Sequence, residues 1–151
     1  MRNVLSSLSL CAALALAGSA SADVTSYCTG GVNSTGQSAS ITWSGPVNPF
    51  QGSLQVSGLP ADSFGIFVYG MGGQQTPFGD GFQCTSQSFI LARTSGSAAG
   101  TLSLDVLNEG EDEDVRWLTS GLLGGANFQY LYRDQQGGSF NGTDAIAVVF
   151  E

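Results

Sequence analysis

Residues 39–43 alternate apolar and polar positions, with Ala39, Ile41 and Trp43 on one face and Ser40 and Thr42 on the other. That period of two is the mark of a half-buried β-strand. Leu54 and Val56 alternate in the same way with Gln55 and Ser57, until Gly58 and Pro60 break the run. In residues 101–107, Leu102, Leu104 and Val106 point inward and Ser103 and Asp105 outward. Residues 64–69 are apolar on both faces, which suits a central strand covered on both sides. Shorter runs at 82–84 and 88–93 follow, and residues 128–133 and 145–150 read as a closing hairpin around Gly137 and Gly138. The expected fold is therefore all-β: an antiparallel, jelly-roll-like β-sandwich of about eight strands with turn signals every 8–12 residues or so. Residues 115–123 fit either a helical turn or a distorted strand. No long segment has a helical period of 3.6, and no repeat or linker divides the domain.

The first residues change the picture of where this sandwich works. Arg2 precedes a mostly apolar stretch, and Ala20, Ser21 and Ala22 supply the small-x-small pattern of signal-peptide cleavage. The expectation is a signal peptide over 1–22 and a single exported domain over 23–151, with no membrane span in the mature form. The leader is too short to span a bilayer, which takes about 20 apolar residues. Lipidation at Cys11 is disfavoured because Leu10 is not small. Without the leader two cysteines remain, Cys28 and Cys84, and an even count in an exported chain predicts a disulfide. A loop of that size stabilises by roughly 4 kcal/mol in the chain-entropy model.

Charge narrows the function. Residues 23–151 hold three arginines (Arg93, Arg116, Arg133), no lysine and no histidine against 12 acids, so 3 − 12 = −9. Such a surface repels nucleic acid, because phosphate binding needs a Lys/Arg footprint. Without histidine there is no Ser-His-Asp or Cys-His pair and no His-ligated zinc. Without lysine there is no Schiff base. Carboxylate chemistry, or a metal held by oxygen ligands, is what remains.

The most polar stretch is acidic: Glu109, Glu111, Asp112, Glu113 and Asp114 fall within six residues. Glu109, Glu111, Asp112 and Asp114 are weak candidates for a Ca²⁺ site, since calcium takes oxygen ligands. The run lacks the register of an EF-hand loop, and a solvated hairpin tip accounts for it as well. A glycosidase would need two carboxylates facing each other across a sugar. Asp62, Asp80, Asp105, Asp134 and Asp144 are the candidates, but each stands at a turn or on the polar side of a strand. Trp43, Trp117, Tyr69, Tyr130 and Tyr132 could line a sugar-stacking face, although aromatics in sandwich strands ordinarily belong to the core. Arg133 and Asp134, with Asn141, Thr143 and Asp144 across the turn, read as a structural clamp in which the Arg133 guanidinium grips Asp144; a ligand site at Arg133 is the alternative. Asn33 and Asn141 each begin a glycosylation sequon, relevant only in a eukaryotic secretory pathway.

Several segments carry a resemblance. They are Tyr27 and Cys28, Asn33 to Gly36, Phe64 to Gly70, Pro77 to Phe82 with Cys84, and Phe128, Gln129, Tyr132, Arg133, Asp134, Phe140, Asn141 and Thr143 to Ala145. Together they resemble an uncharacterised β-sandwich domain of proteins exported by environmental Gram-negative bacteria, often found at the C-terminal end of larger secreted hydrolases or adhesins. The resemblance implies a sandwich without catalytic residues. The chain departs from it at Leu131, where the motif tends to carry tryptophan, and in the acidic run.

The expectation is thus an exported, periplasmic or extracellular, non-catalytic protein without a cofactor. Its role is binding or surface structure, its partner a protein or a glycan. The alternatives are a carboxylate-dependent polysaccharide hydrolase and a calcium-assisted carbohydrate-binding module.

Overall fold

A computed structural model of the protein describes residues 23–46, 51–94, 100–106, 124–134, 136 and 138–150. The proposed leader, the acidic run with Glu109, Glu111, Asp112 and Asp114, the segment 115–123 and Trp117 lie outside the described residues. Ten strands form: β1 (Val24–Cys28), β2 (Ser40–Ser44), β3 (Ser53–Ser57), β4 (Phe64–Gly70), β5 (Gly72–Phe78), β6 (Gly81–Ser86), β7 (Phe89–Thr94), β8 (Leu102–Asp105), β9 (Ala126–Asp134) and β10 (Ser139–Val148). Among the described residues the chain is all-β, without helix, and every strand pairing is antiparallel.

A five-stranded sheet runs β1-β10-β9-β4-β7, a three-stranded sheet β2-β3-β8, and a separate hairpin joins β5 to β6. The two larger sheets share one apolar interior. Ile41, Leu54, Val56, Leu104 and Val106 face Phe67, Tyr69, Leu91, Phe128, Tyr130, Tyr132, Ile146 and Val148 there. Alternation places these side chains: along β9 the even-numbered residues 126–132 enter the core, and Asn127, Gln129, Leu131 and Arg133 point to the opposite face. The β5–β6 hairpin covers part of that opposite face, where Val68 and Gln129 are buried while Phe64 stays exposed, so the two-sided covering expected for residues 64–69 holds only at the Val68 end.

A disulfide and a buried glutamine help to hold the hairpin down, beside the bonds from Tyr27 Oη to the Cys84 carbonyl and from Asp80 N–H to the Phe140 carbonyl. Cys28 of β1 and Cys84 of β6 form a disulfide, with Cα atoms 6.2 Å apart. Gln129, which has no exposed surface, accepts the Cys84 N–H at 2.8 Å and donates from Nε2 to the carbonyls of Phe82 (2.8 Å) and Thr143 (2.9 Å). Gly142 lets the backbones approach this closely: a Cβ there would meet the Phe82 carbonyl at 2.5 Å and Gln129 Nε2 at 2.8 Å. At the hairpin turn Gly79 has φ of +58°, a conformation that suits glycine, and a side chain would collide with the Phe140 backbone.

Among the described residues ten strands form, where about eight were expected. The additional ones are β1 and β5, and β10 begins at Ser139 rather than near 145. β5 contains two glycines, two glutamines and a proline, and its central residues are exposed. It is a strand because β6 pairs with it, and its own sequence carries no apolar period.

Candidate functional site

The polar residues singled out around the last hairpin do form a fastening, with a different centre. Asp134 is buried and accepts from both the N–H and the hydroxyl of Ser34, each at 2.6 Å. Asn141 donates to the Val32 carbonyl at 3.2 Å and accepts its neighbour Gly142 N–H. Asp144 accepts the Ile41 N–H at 2.7 Å and the Ser26 hydroxyl at 3.2 Å. Burial raises the Asp144 carboxyl above its ordinary value, against the opposing pull of those two donors. Asn33 completes the set. Its Oδ1 takes the N–H and hydroxyl of Thr35, and its Nδ2 donates to the Gly58 carbonyl. What these residues tie down is the N-terminal segment 26–41, laid across β9 and β10.

Arg133 is not part of this fastening. Neighbours in a strand point to opposite faces, so the sheet itself separates the exposed Arg133 from the buried Asp134. Among the described residues Arg133 has no hydrogen-bond or ion-pair partner, and the expected grip on Asp144 is replaced by backbone and hydroxyl donors from β1 and β2. The two sequon asparagines, Asn33 and Asn141, are both buried with their amides bonded to protein, which leaves no room for a glycan.

The aromatic candidates among the described residues lie in the core or pack against it. Tyr69, Tyr130 and Tyr132 are buried, and burial pushes the Tyr130 hydroxyl up to about 12. Trp43 packs its ring against Phe128 and Phe150 at 5.8 and 5.7 Å and donates its ring N–H to the Pro46 carbonyl. Of the glycosidase candidates, Asp62 and Asp80 are exposed in turns, Asp105 is half-buried at the end of β8, and Asp134 and Asp144 are bonded as above. Among the described residues no group of three or more His, Cys, Asp or Glu side chains could hold a metal, and no helix is long and apolar enough to cross a membrane.

Two concavities among the described residues bear on function. One, of about 330 Å³, lies on the outer face of β3 and its neighbours β2 and β8, lined by Thr42, Gln55, Ser57, Thr101 and Ser103 beside Val56 and Leu102. Among the described residues that line it there is neither a charge nor an aromatic ring.

The other, of about 250 Å³, opens on the outer face of the five-stranded sheet beside the turn of the β5–β6 hairpin. Phe64, Ile66, Phe78, Leu131 and Phe140 make it mostly apolar, and Arg93 and Arg133 also line it. Register explains the arrangement. Phe64 of β4, Arg133 of β9 and Phe140 of β10 stand directly opposite one another, and Arg93, Ile66 and Leu131 form the next such row. Phe78 closes one end with its ring 5.7 Å from that of Phe140. Phe64 and Phe140 are 40% and 53% exposed, large apolar surface that a solitary sheet face would ordinarily hide. Among the described residues no carboxylate lines the groove. The sequence marked Arg133 as a ligand-site alternative, but the three phenylalanines come from three strands, and no sequence spacing links them.

In comparisons with known proteins no family model, no curated protein and no solved structure matches this chain, so the groove is read from its own chemistry alone.

Proposed function

We propose that this is an exported, non-catalytic binding protein whose ligand site is the groove between Phe64, Phe78 and Phe140. The observation that carries the reading is a half-open apolar concavity of about 250 Å³ lined by Phe64, Phe78 and Phe140, on a sheet face that its own hairpin covers in part. Binding sites of small ligands are concave, mostly apolar and equipped with a few placed polar groups. Export agrees with the leader-like first residues and with the Cys28–Cys84 disulfide. The non-catalytic reading rests on the missing histidine and lysine and on the structural bonds that occupy Asp134 and Asp144. The resemblance noted above, to a sandwich without catalytic residues, points the same way. A purely polar sugar site on the β2-β3-β8 face is less favoured, because sugar recognition draws on an aromatic platform and none lines that depression.

The test is a two-dimensional NMR screen of the oxidised protein against a small library of apolar and amphipathic fragments. Shifts should cluster on Phe64, Ile66, Phe78, Leu131 and Phe140 and vanish in Phe140→Ser. Hits that map instead to Thr42, Gln55 and Ser103 would overturn the assignment.

A further inference from the structure

Resting on that groove as the ligand site, we propose that its ligand is an amphipathic monocarboxylate, a single carboxylate on an apolar body of about eight heavy atoms. Arg133 carries the first half of the argument. It is exposed, it has no described partner, and it stands in register between two phenylalanines on the neighbouring strands. Directly opposed residues in antiparallel strands bring their Cβ atoms to about 5 Å, so the guanidinium emerges between two apolar rings. A guanidinium is planar, weakly hydrated and always charged. It receives a carboxylate through two parallel hydrogen bonds and tolerates contact with aromatic faces. A cation in such a place, with no acid among the described residues that line the groove, is complementary to an anion from outside.

The second half is the limit that the rest of the protein sets. The chain bears 12 acids against 4 basic residues. Its field opposes the approach of anions in general, and most strongly of multiply charged ones such as phosphates or acidic polymers. Local attraction at one arginine must therefore be joined by apolar contact, which the walls of Phe64, Ile66, Phe78, Leu131 and Phe140 supply. Size follows from volume. At roughly 30 Å³ for a water-sized group, about 250 Å³ accommodates about eight such groups, the body of a medium-chain or aromatic acid.

The experiment is calorimetric and NMR titration of the oxidised protein with octanoate, 1-octanol and acetate, in wild type, Arg133→Gln and Arg133→Lys. Wild type is expected to bind octanoate about 10-fold more tightly than 1-octanol and to give no response to acetate at the same concentrations. Arg133→Gln should bring octanoate down to the 1-octanol level without changing 1-octanol binding. Arg133→Lys should recover part of the difference, because the charge remains and the fork geometry does not. Melting curves establish that the variants are folded, as expected for an exposed side chain. Equal binding of octanoate and 1-octanol to wild type would overturn the carboxylate proposal and leave the groove reading standing. Failure of both to shift any groove residue would remove the groove reading itself. A preference for octanoate that survives in Arg133→Gln would show that another group holds the anion and would also overturn the proposal.

Discussion

Replacing Gln129 with leucine tests what holds the β5–β6 hairpin against the sheet. The two side chains are close in volume, so packing is nearly conserved and the loss is chiefly one of hydrogen bonds. Three main-chain groups lose a partner: the Cys84 N–H and the carbonyls of Phe82 and Thr143, which Gln129 meets at 2.8, 2.8 and 2.9 Å. The β10 ladder cannot readily recover the Thr143 carbonyl, because the register slips between Gly142 and Ala145. A buried polar group left without a partner costs about 1–3 kcal/mol. Three such groups cost about 3–9 kcal/mol together and the new leucine returns about 2 kcal/mol through its own burial, so the net loss expected is about 1–7 kcal/mol, a large share of the ~5–15 kcal/mol that a domain possesses. Urea unfolding of the oxidised proteins, followed by far-ultraviolet circular dichroism with the slope checked for constancy, measures it. Amide exchange at Cys84 provides a local readout, and the variant should exchange there far faster. A loss below about 1 kcal/mol, or unchanged protection at Cys84, would refute the view that this amide fastens the hairpin. Gln129→Glu should be worse still at neutral pH, since it sets a buried charge against two carbonyls.

Three further outcomes are expected. Arg133→Ala should change stability by no more than about 0.5 kcal/mol, whereas Asp134→Ala, which strands the Ser34 N–H and hydroxyl, should lower it by about 1–3 kcal/mol; a thermal melt in which Arg133→Ala is the more damaged would restore the clamp centred on Arg133. The Asp144 carboxyl lies above its ordinary value of 3.8 in the folded protein, so its contribution is fully present below that value and is lost as pH rises through the raised one. Asp144→Asn keeps an acceptor for Ile41 N–H without ionising, so melting temperatures should shift in its favour relative to wild type between about pH 4 and neutrality; parallel curves would contradict the burial effect. Reduction of Cys28–Cys84, which spans a sequence separation of 56, should lower stability by about 4 kcal/mol in the chain-entropy model, and an unchanged midpoint on adding reductant would show that the hydrogen bonds to the hairpin suffice without it.

The strands of the interior were legible because burial on one face writes itself as alternation. Ile41, Leu54, Val56, Leu104 and the Phe128-Tyr130-Tyr132 row all lie where a period of two places them. The disulfide was legible from cysteine parity. β1 and β5 were not, since edge strands gain their structure from hydrogen bonds to a neighbour, and those bonds go to backbone groups that every sequence possesses. Gln129 also left no trace. A glutamine among apolar residues reads as an outward-facing position, and only the hairpin folded over it turns that face into an interior.

The candidate site divides in the same way. The sequence by itself determined that Arg133 and Asp134 face opposite sides of a strand, that cations are scarce, and that no imidazole or amine chemistry is available. Only the tertiary structure decided which side holds the fastening and which holds the groove. Asp134 turns inward to Ser34, 100 residues away in sequence, and Arg133 turns outward between phenylalanines of β4 and β10. The physical reason is that alternation fixes the relative facing of neighbours along one strand, while the identity of what each face meets depends on strand register and sheet order, which are set by contacts distant in the chain.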